Sequence, residues 1–185
     1  MNKKKLLADL KQAMIDDDSL PLQESRLVFG EGNVDAEVIF IGEAPGLQED
    51  RISRPFVGRG GELLTECIAR VGWARADVYI TNIVKRRPPE NRDPSSAEIR
   101  AYRSYLARQI KIISPRVIVP LGRFAMNYFL PNAKISRDQG KIFIFEKYII
   151  MPMFHPAAAL RGTGTRNQFK KTFAKLPAAV SCIKK

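Results

Sequence analysis

Four short apolar runs punctuate the chain, and apolar positions between them recur at helical spacing. Glu37-Val38-Ile39-Phe40-Ile41 reads as a strand ending at Gly42, and Val78 to Val84 reads as a second. Arg116 to Leu121, ending at Gly122, is a third; Tyr148 to Phe154, ending at His155, is a fourth. The runs are rich in β-branched residues and continuous, as strands covered on both faces require. Between them, Gly61 to Val71 places Leu63, Leu64, Cys67, Ile68 and Val71 on one helical face. Ser95-Ser96-Ala97-Glu98 has capping-box spacing and opens a helix carrying Ile99, Tyr102, Leu106, Ile110 and Ile113, which Pro115 stops. Arg123 to Leu130 predicts a short helix, and a terminal helix carries Phe169, Phe173 and Leu176. Leu6, Leu7, Leu10 and Met14 share a face near the start, and Gly140 to Glu146 has the makings of a hairpin with the fourth strand. Strand-helix alternation implies right-handed crossovers between parallel strands. The expected fold is α/β: a three-layer α/β/α sandwich around a four-stranded parallel sheet, as one domain over 1–185.

A chain of 185 residues suits a single sizeable core. Charge adds what periodicity does not: 31 Lys+Arg stand against 19 Asp+Glu, a formal net charge of +12. Such an excess points to a polyanionic partner, either nucleic acid or an anionic membrane surface, with nucleic acid ahead of a merely soluble basic surface. No apolar run is long enough to span a bilayer. The opening lysines mimic a signal peptide, but Asp9, Lys11 and Asp16-Asp17-Asp18 break the apolar stretch such a signal needs, so a cytoplasmic protein is expected. The two cysteines, Cys67 and Cys182, form no C-x-x-C pair and cannot by themselves build a metal site.

In open α/β sheets ligands bind beyond the carboxyl ends of the strands. Here those ends are Gly42 to Arg59, Asn82 to Arg92, Gly122-Arg123 and His155 to Arg161, all polar or glycine-rich. Glu43, on the stiff turn Gly42-Glu43-Ala44-Pro45-Gly46, reads as a turn carboxylate or as one that orients a water or opposes a developing cation. Phe56, among Arg51, Arg54 and Arg59, reads as core or as a ring for stacking on a base. Asn82 is a buried structural amide or a reader of a base edge. His155, the one histidine, precedes Pro156 and a loop of small residues, a place for a neutral imidazole donor. Lys85-Arg86-Arg87 and Arg92 form either a solvated face or a phosphate contact.

Gly42 to Gly46, Glu49-Asp50 and Arg54-Pro55-Phe56-Val57-Gly58-Arg59 together resemble the first motif of family-4 uracil-DNA glycosylases. Thr81-Asn82-Ile83-Val84-Lys85, Arg87-Pro88-Pro89 and Asn91-Arg92 are similar to that family's middle segment. Val119 to Gly122 and Met153-Phe154-His155-Pro156-Ala157 are similar to the remainder, so the likeness runs from about Val28 to Arg161.

The resemblance implies hydrolysis of the N-glycosidic bond of deoxyuridine in uracil-containing DNA, single- or double-stranded, by a monomer that needs no membrane. It makes Glu43 and His155 catalytic: Glu43 orients water and opposes the sugar cation, and His155 donates to uracil O2. Phe56 stacks on the uracil, Asn82 binds its N3 and O4 edge, Gly42 and Ala44 complete the base site, and Glu49 walls off a thymine methyl. Arg59, Lys85, Arg87 and Arg92 take phosphates, and Pro156 to Arg161 enters the minor groove, with Leu160 or Arg161 filling the vacated stack. The small Ala157-Ala158-Ala159 departs from the bulk expected of such a wedge.

The family also carries a 4Fe–4S cluster on four cysteines. Their places fall here near Ile15 and Asp18, at Arg86 and at Tyr102, and neither Cys67 nor Cys182 matches one. The expectation is therefore no cofactor and no metal, with Tyr102 packed under the 86–92 loop and Arg86 paired with the Asp16-Asp17-Asp18 run. Rival readings are a same-fold glycosylase for hypoxanthine or xanthine, a non-catalytic DNA-binding module, and an unrelated nucleotide-binding enzyme using Gly58-Arg59-Gly60-Gly61.

Overall fold

A computed structural model describes residues 2–145 and 147–182. The strands are β1 (Glu31–Gly32), β2 (Val38–Gly42), β3 (Tyr79–Asn82), β4 (Val117–Pro120), β5 (Phe143–Ile144) and β6 (Ile149–Ile150). The helices are α1 (Lys3–Ile15), α2 (Leu47–Ile52), α3 (Arg59–Arg70), α4 (Ser96–Ile113), α5 (Arg123–Phe129), α6 (Ile135–Asp138), α7 (Pro156–Ala159), α8 (Thr163–Phe173) and α9 (Leu176–Cys182). Among the described residues the sheet has order β1-β3-β2-β4-β6-β5. Its four central strands are parallel, as the apolar runs predict, and short antiparallel strands β1 and β5 extend each edge. The expected hairpin is β5-β6, although Glu146 lies outside the described residues.

Strand geometry explains the continuous runs. Successive side chains alternate faces, so Phe40 joins one core while Ile39 and Ile41 join the other. The first core packs β2, β3 and β4 against α3, α8 and α9, with Phe40 stacked on Phe173 at 5.3 Å. The second packs the opposite face against α1, α4 and α5. The single terminal helix read from the sequence is instead two, α8 and α9, broken after Phe173. No helix among the described residues is long and apolar enough to cross a membrane.

The capping box at Ser95 forms as its spacing predicts, with Ser95 Oγ accepting from Glu98 N and Glu98 Oε2 from Ser95 N. That fixes the start of α4 and with it Tyr102, which is fully buried and donates its hydroxyl to Pro21 O at 2.7 Å. Burial pushes the phenol up to about 12. Arg86 does not pair with the acidic run. Its Nη1 donates to Ser25 O at 2.6 Å, while Asp17 accepts from Tyr105 and Ser19, because the loop turns its carbonyls, and not its carboxylates, toward the guanidinium. Ser25 Oγ to Arg87 O and Val28 N to Lys85 O complete the seam between the 17–28 segment and the 85–87 loop. Tyr102→Ala is expected to cost about 3–5 kcal/mol of stability, the cavity left by a fully buried ring. Tyr102→Phe, losing one hydrogen bond, should cost about 1 kcal/mol. Chemical denaturation measures both.

Candidate active site

The topology makes a crevice at the carboxyl end of β2. The chain leaving β2 runs to α3 on one face of the sheet, whereas the chains leaving its neighbours β3 and β4 run to α4 and α5 on the other. Such a divergence opens a cleft between the loops. It holds about 420 Å³ and is walled by Glu43, Ala44, Glu49, Phe56, Asn82 and His155, with Arg59, Arg92 and Arg161 at its margin. Three segments far apart in sequence, 43–61, 82–92 and 155–161, therefore meet in one place.

Parallel register sets Asn82 beside Gly42. The ring of Phe56 lies across the same glycine: a Cβ at Gly42 would stand 2.4 Å from Asn82 Oδ1 and 2.5 Å from Phe56 Cζ. Only glycine permits that approach. Phe56 is buried and has φ 51°, a left-handed conformation costing a non-glycine residue of order 1–3 kcal/mol. Its ring centroid is 5.7 Å from that of His155. Asn82 is buried at the wall of the cleft, its Oδ1 set against Gly42, and its amide carries both a donor and an acceptor.

His155 follows Met153, which bridges to Leu121 of the neighbouring chain segment. At Gly122, φ is 87° and a Cβ would crowd His155 Cβ at 3.0 Å, so a glycine again makes room for the site. His155 Nδ1 accepts from Ala157 N at 3.2 Å, which puts the neutral ring's proton on Nε2. Burial pushes the imidazole down to about 4, opposed by the Glu49 charge and reinforced by Arg161. The ring is therefore neutral at physiological pH.

Glu43 shows the converse. Burial, aided by the Asp93 carboxylate and opposed by Arg123, raises it to about 7. Asp93 and Arg123 are themselves paired at 2.6 Å. Two titratable groups in one cleft are thus pushed in opposite directions, a pattern associated with acid-base or charge-stabilising roles. Arg123 is visible in the sequence at a strand end, but nothing there pairs it with Asp93.

Other expected site residues are redistributed. Lys85 is no phosphate ligand: it is fully buried, and its amine donates to Thr81 Oγ1 and Gln109 Oε1. Desolvation lowers its pKa well below the ordinary lysine value. Its side chain turns inward toward α4, which a run of three basic residues does not reveal. Glu49 lines the cleft, but Oε1 accepts from both Val57 N and Gly58 N at 2.9 Å, fastening α2 to the turn that leads from Phe56 into α3. Arg92 is held by Glu98 in a two-pronged pair at 2.6 and 2.9 Å, and Arg87 by Asn91 at 2.7 Å. Pro156 is buried and Leu160 packs against the core, so neither projects as a wedge; Arg161 is exposed. Pro88 and Asn91 also wall the cleft. Both lie within the middle motif, but their facing the cavity depends on the turn at Pro88–Arg92.

Comparison with known proteins fits this geometry. The family model of the uracil DNA glycosylase superfamily matches residues 29–177, and the chain belongs to that superfamily. Its class is accordingly that of glycosylases, which are hydrolases. Within it, the chain is similar to type-4 uracil-DNA glycosylases. It is 43% identical to that of Archaeoglobus fulgidus over 162 residues, covering 83% of this chain and 81% of the relative. It is 46% identical to that of Thermotoga maritima over 146 residues, covering 77% and 76%.

The positions where that resemblance expects cluster ligands do not fit an iron–sulfur group. Asp18 and Ile15 offer no thiol, Arg86 is a buried cation, and Tyr102 fills its site with an aromatic ring bound to Pro21. Iron–sulfur clusters need thiolates. Cys67 lies buried in the α3 core with its thiol pushed up to about 11 by burial, and Cys182 is near the end of α9.

Proposed function

We propose that this protein is a single-domain, monomeric glycosylase that excises uracil from single- or double-stranded DNA, and that it works without an iron–sulfur cluster. The observation that supports the reading most is the convergence of Glu43, Phe56, Asn82 and His155 on one cleft of about 420 Å³. Such a cleft cannot admit a base still stacked in a duplex, so the nucleotide is flipped into it, at a cost of a few kcal/mol. Phe56 offers a fixed face on which the base stacks. The Asn82 amide N–H donates to O4 and its oxygen accepts from N3–H; cytosine presents the reverse pattern at both positions.

The chemistry is a hydrolysis. The C1′–N1 bond breaks, its electron pair stays on the uracil and is spread onto O2, and C1′ becomes cationic. Neutral His155, with its proton on Nε2, donates to O2 and stabilises the anion without a proton having to be supplied first. The Glu43 carboxylate opposes the cation and takes a proton from the water whose oxygen joins C1′. Glu49 holds the loop that carries Phe56 and forms the adjoining wall.

Excision assays on uracil-containing strands with metal-free protein test the reading; intact substrate would overturn it. An iron–sulfur absorbance in the purified protein would overturn its cluster-free part. Asn82→Asp leaves two acceptors where the amide presented one of each. It is expected to lower uracil excision at least about tenfold and to bring in cytosine excision, the size of effect a mispaired polar group produces. Unchanged selectivity would refute the edge-reading role. Arg59→Ala and Arg161→Ala are each expected to lower the slope of log affinity against log salt by about 1, as the loss of one phosphate contact does. Binding titrations at several salt concentrations measure it.

A further inference from the structure

Phe56 occupies an unfavourable backbone conformation, and such a residue persists only where its surroundings over-determine it. We propose that Glu31 and Arg75, on the side of the loop opposite the Glu49 contacts, complete that determination: they form a clamp that sets the Phe56 ring over Gly42, and so act as positioning residues for base binding. The inference rests on the cleft being a uracil site, but neither residue lines it.

The geometry is that of one guanidinium joining three pieces of the fold. Arg75 Nη2 donates to the carbonyl of Pro55, the residue before Phe56, at 2.6 Å. Its Nη1 donates to Thr65 Oγ1 on α3 at 3.0 Å, and its Nε to Glu31 Oε1 on edge strand β1 at 2.9 Å. Glu31 then reaches the same loop from the other side, accepting from Arg54 Nε at 2.7 Å and Nη2 at 3.2 Å. Burial pushes the Glu31 carboxyl up, but the hydrogen bonds from Arg54 and Arg75 outweigh it and hold the group below its usual range. Side-chain exposures of 20% for Arg75 and 24% for Glu31 shield the pair from much of the solvent, whereas Arg54 at 57% is open. Arg75 is thus the inner member of the clamp.

An aromatic platform adds to affinity only so far as its ring is already in place, since ordering it at each encounter consumes the binding energy it supplies. The planar fork of arginine matters here. A lysine would keep the charge but could not serve Pro55, Thr65 and Glu31 together.

Arg75→Gln, Arg75→Lys and Glu31→Gln test this, each in the full chain and again with Phe56→Ala. Two measurements are needed: amide hydrogen exchange across residues 53–58, and the inhibition constant of free uracil during excision. The clamp predicts faster exchange in 53–58 for all three variants, with β2 and β4 unchanged. It also predicts about tenfold weaker uracil inhibition and a matching rise in KM with a smaller change in kcat, the lower range of what a stacked base contributes. In the Phe56→Ala background the same substitutions should add no further loss. Unchanged exchange in 53–58 would overturn the clamp. So would a loss that persists undiminished without the ring, which would mark a general structural effect. Failure of the wild-type protein to excise uracil would instead defeat the proposed function, while the exchange measurement still decided whether the clamp holds the loop.

Discussion

Replacing Glu43 with Gln is expected to lower uracil excision by about 10²–10⁴-fold, the usual contribution of a positioned acid-base group, while affinity for uracil-containing DNA changes little. The amide keeps the shape and loses the negative charge, so the variant separates charge from packing. The wild-type pH profile carries the same information. With Glu43 at about 7, the free enzyme holds much of this group protonated at pH 6, and only the ionised form opposes a cation. The rate should therefore climb from pH 6 to 8 and then level off. A profile already flat at pH 6 would refute the role. Stability moves the opposite way. A raised carboxyl favours the folded state while protonated, and that contribution is lost as pH rises from about 4.5 through 7. Glu43→Gln is accordingly expected to be more stable than wild type at pH 8 by about 1–2 kcal/mol, after discounting the part of the side chain that faces solvent. Denaturation curves at pH 5 and pH 8 measure it.

His155→Ala is expected to lower kcat by about 10²–10³-fold, the loss seen when one donor to a developing oxyanion is removed, again with DNA binding retained. The chain has one histidine, so nitrogen-resolved NMR reads this ring without assignment ambiguity. The spectrum should show a neutral ring protonated at Nε2 from pH 8 down to about 5, with titration centred near 4. A histidine titrating near 6.5 would mean that the cleft does not enforce the neutral form. The depressed value makes the site contribute stability above about pH 6.5, which is lost as pH falls through 4. Together the two residues bracket a working range in which Glu43 is ionised and His155 neutral, from about pH 7 upward.

Much of the site was legible in the sequence because it sits on strand ends. Once the apolar runs around Phe40, Ile80, Ile118 and Ile150 are read as parallel strands, the residues that follow them must share one rim of the sheet. That places Glu43, Asn82 and His155 on one rim, the strand order β3-β2-β4-β6 then brings them together, and the family motif links Phe56 to them. The capping box at Ser95 and the burial of Tyr102 were readable for the same reason, since both follow from local periodicity. Edge strand β1, of two residues, carries no such period and leaves no trace in the sequence, whereas β5 is the hairpin partner expected of the fourth strand.

Charged side chains were the weak point. In the sequence Lys85 and Arg87 are equivalent members of a basic run, yet Lys85 turns into a buried pocket of Thr81 and Gln109 while Arg87 remains partly exposed. Arg86 meets a backbone carbonyl instead of a carboxylate, and Arg92 is claimed by Glu98. A long flexible side chain takes whichever partner the fold brings within reach, and partners distant in sequence leave no local trace.

By itself the sequence determined the parallel sheet, the polar segments at its strand ends, the family, and the residues that could carry chemistry, because these depend on periodicity and on motifs a few residues long. Only the tertiary structure decided which of those residues face the cleft, that Glu43 is pushed up while His155 is pushed down, and that Glu31 and Arg75 meet at the backbone just before Phe56. Those outcomes depend on burial and on contacts between segments as far apart as Glu31 and Arg75 or Gly122 and His155, and desolvation is a property of the space a side chain occupies, not of its neighbours along the chain.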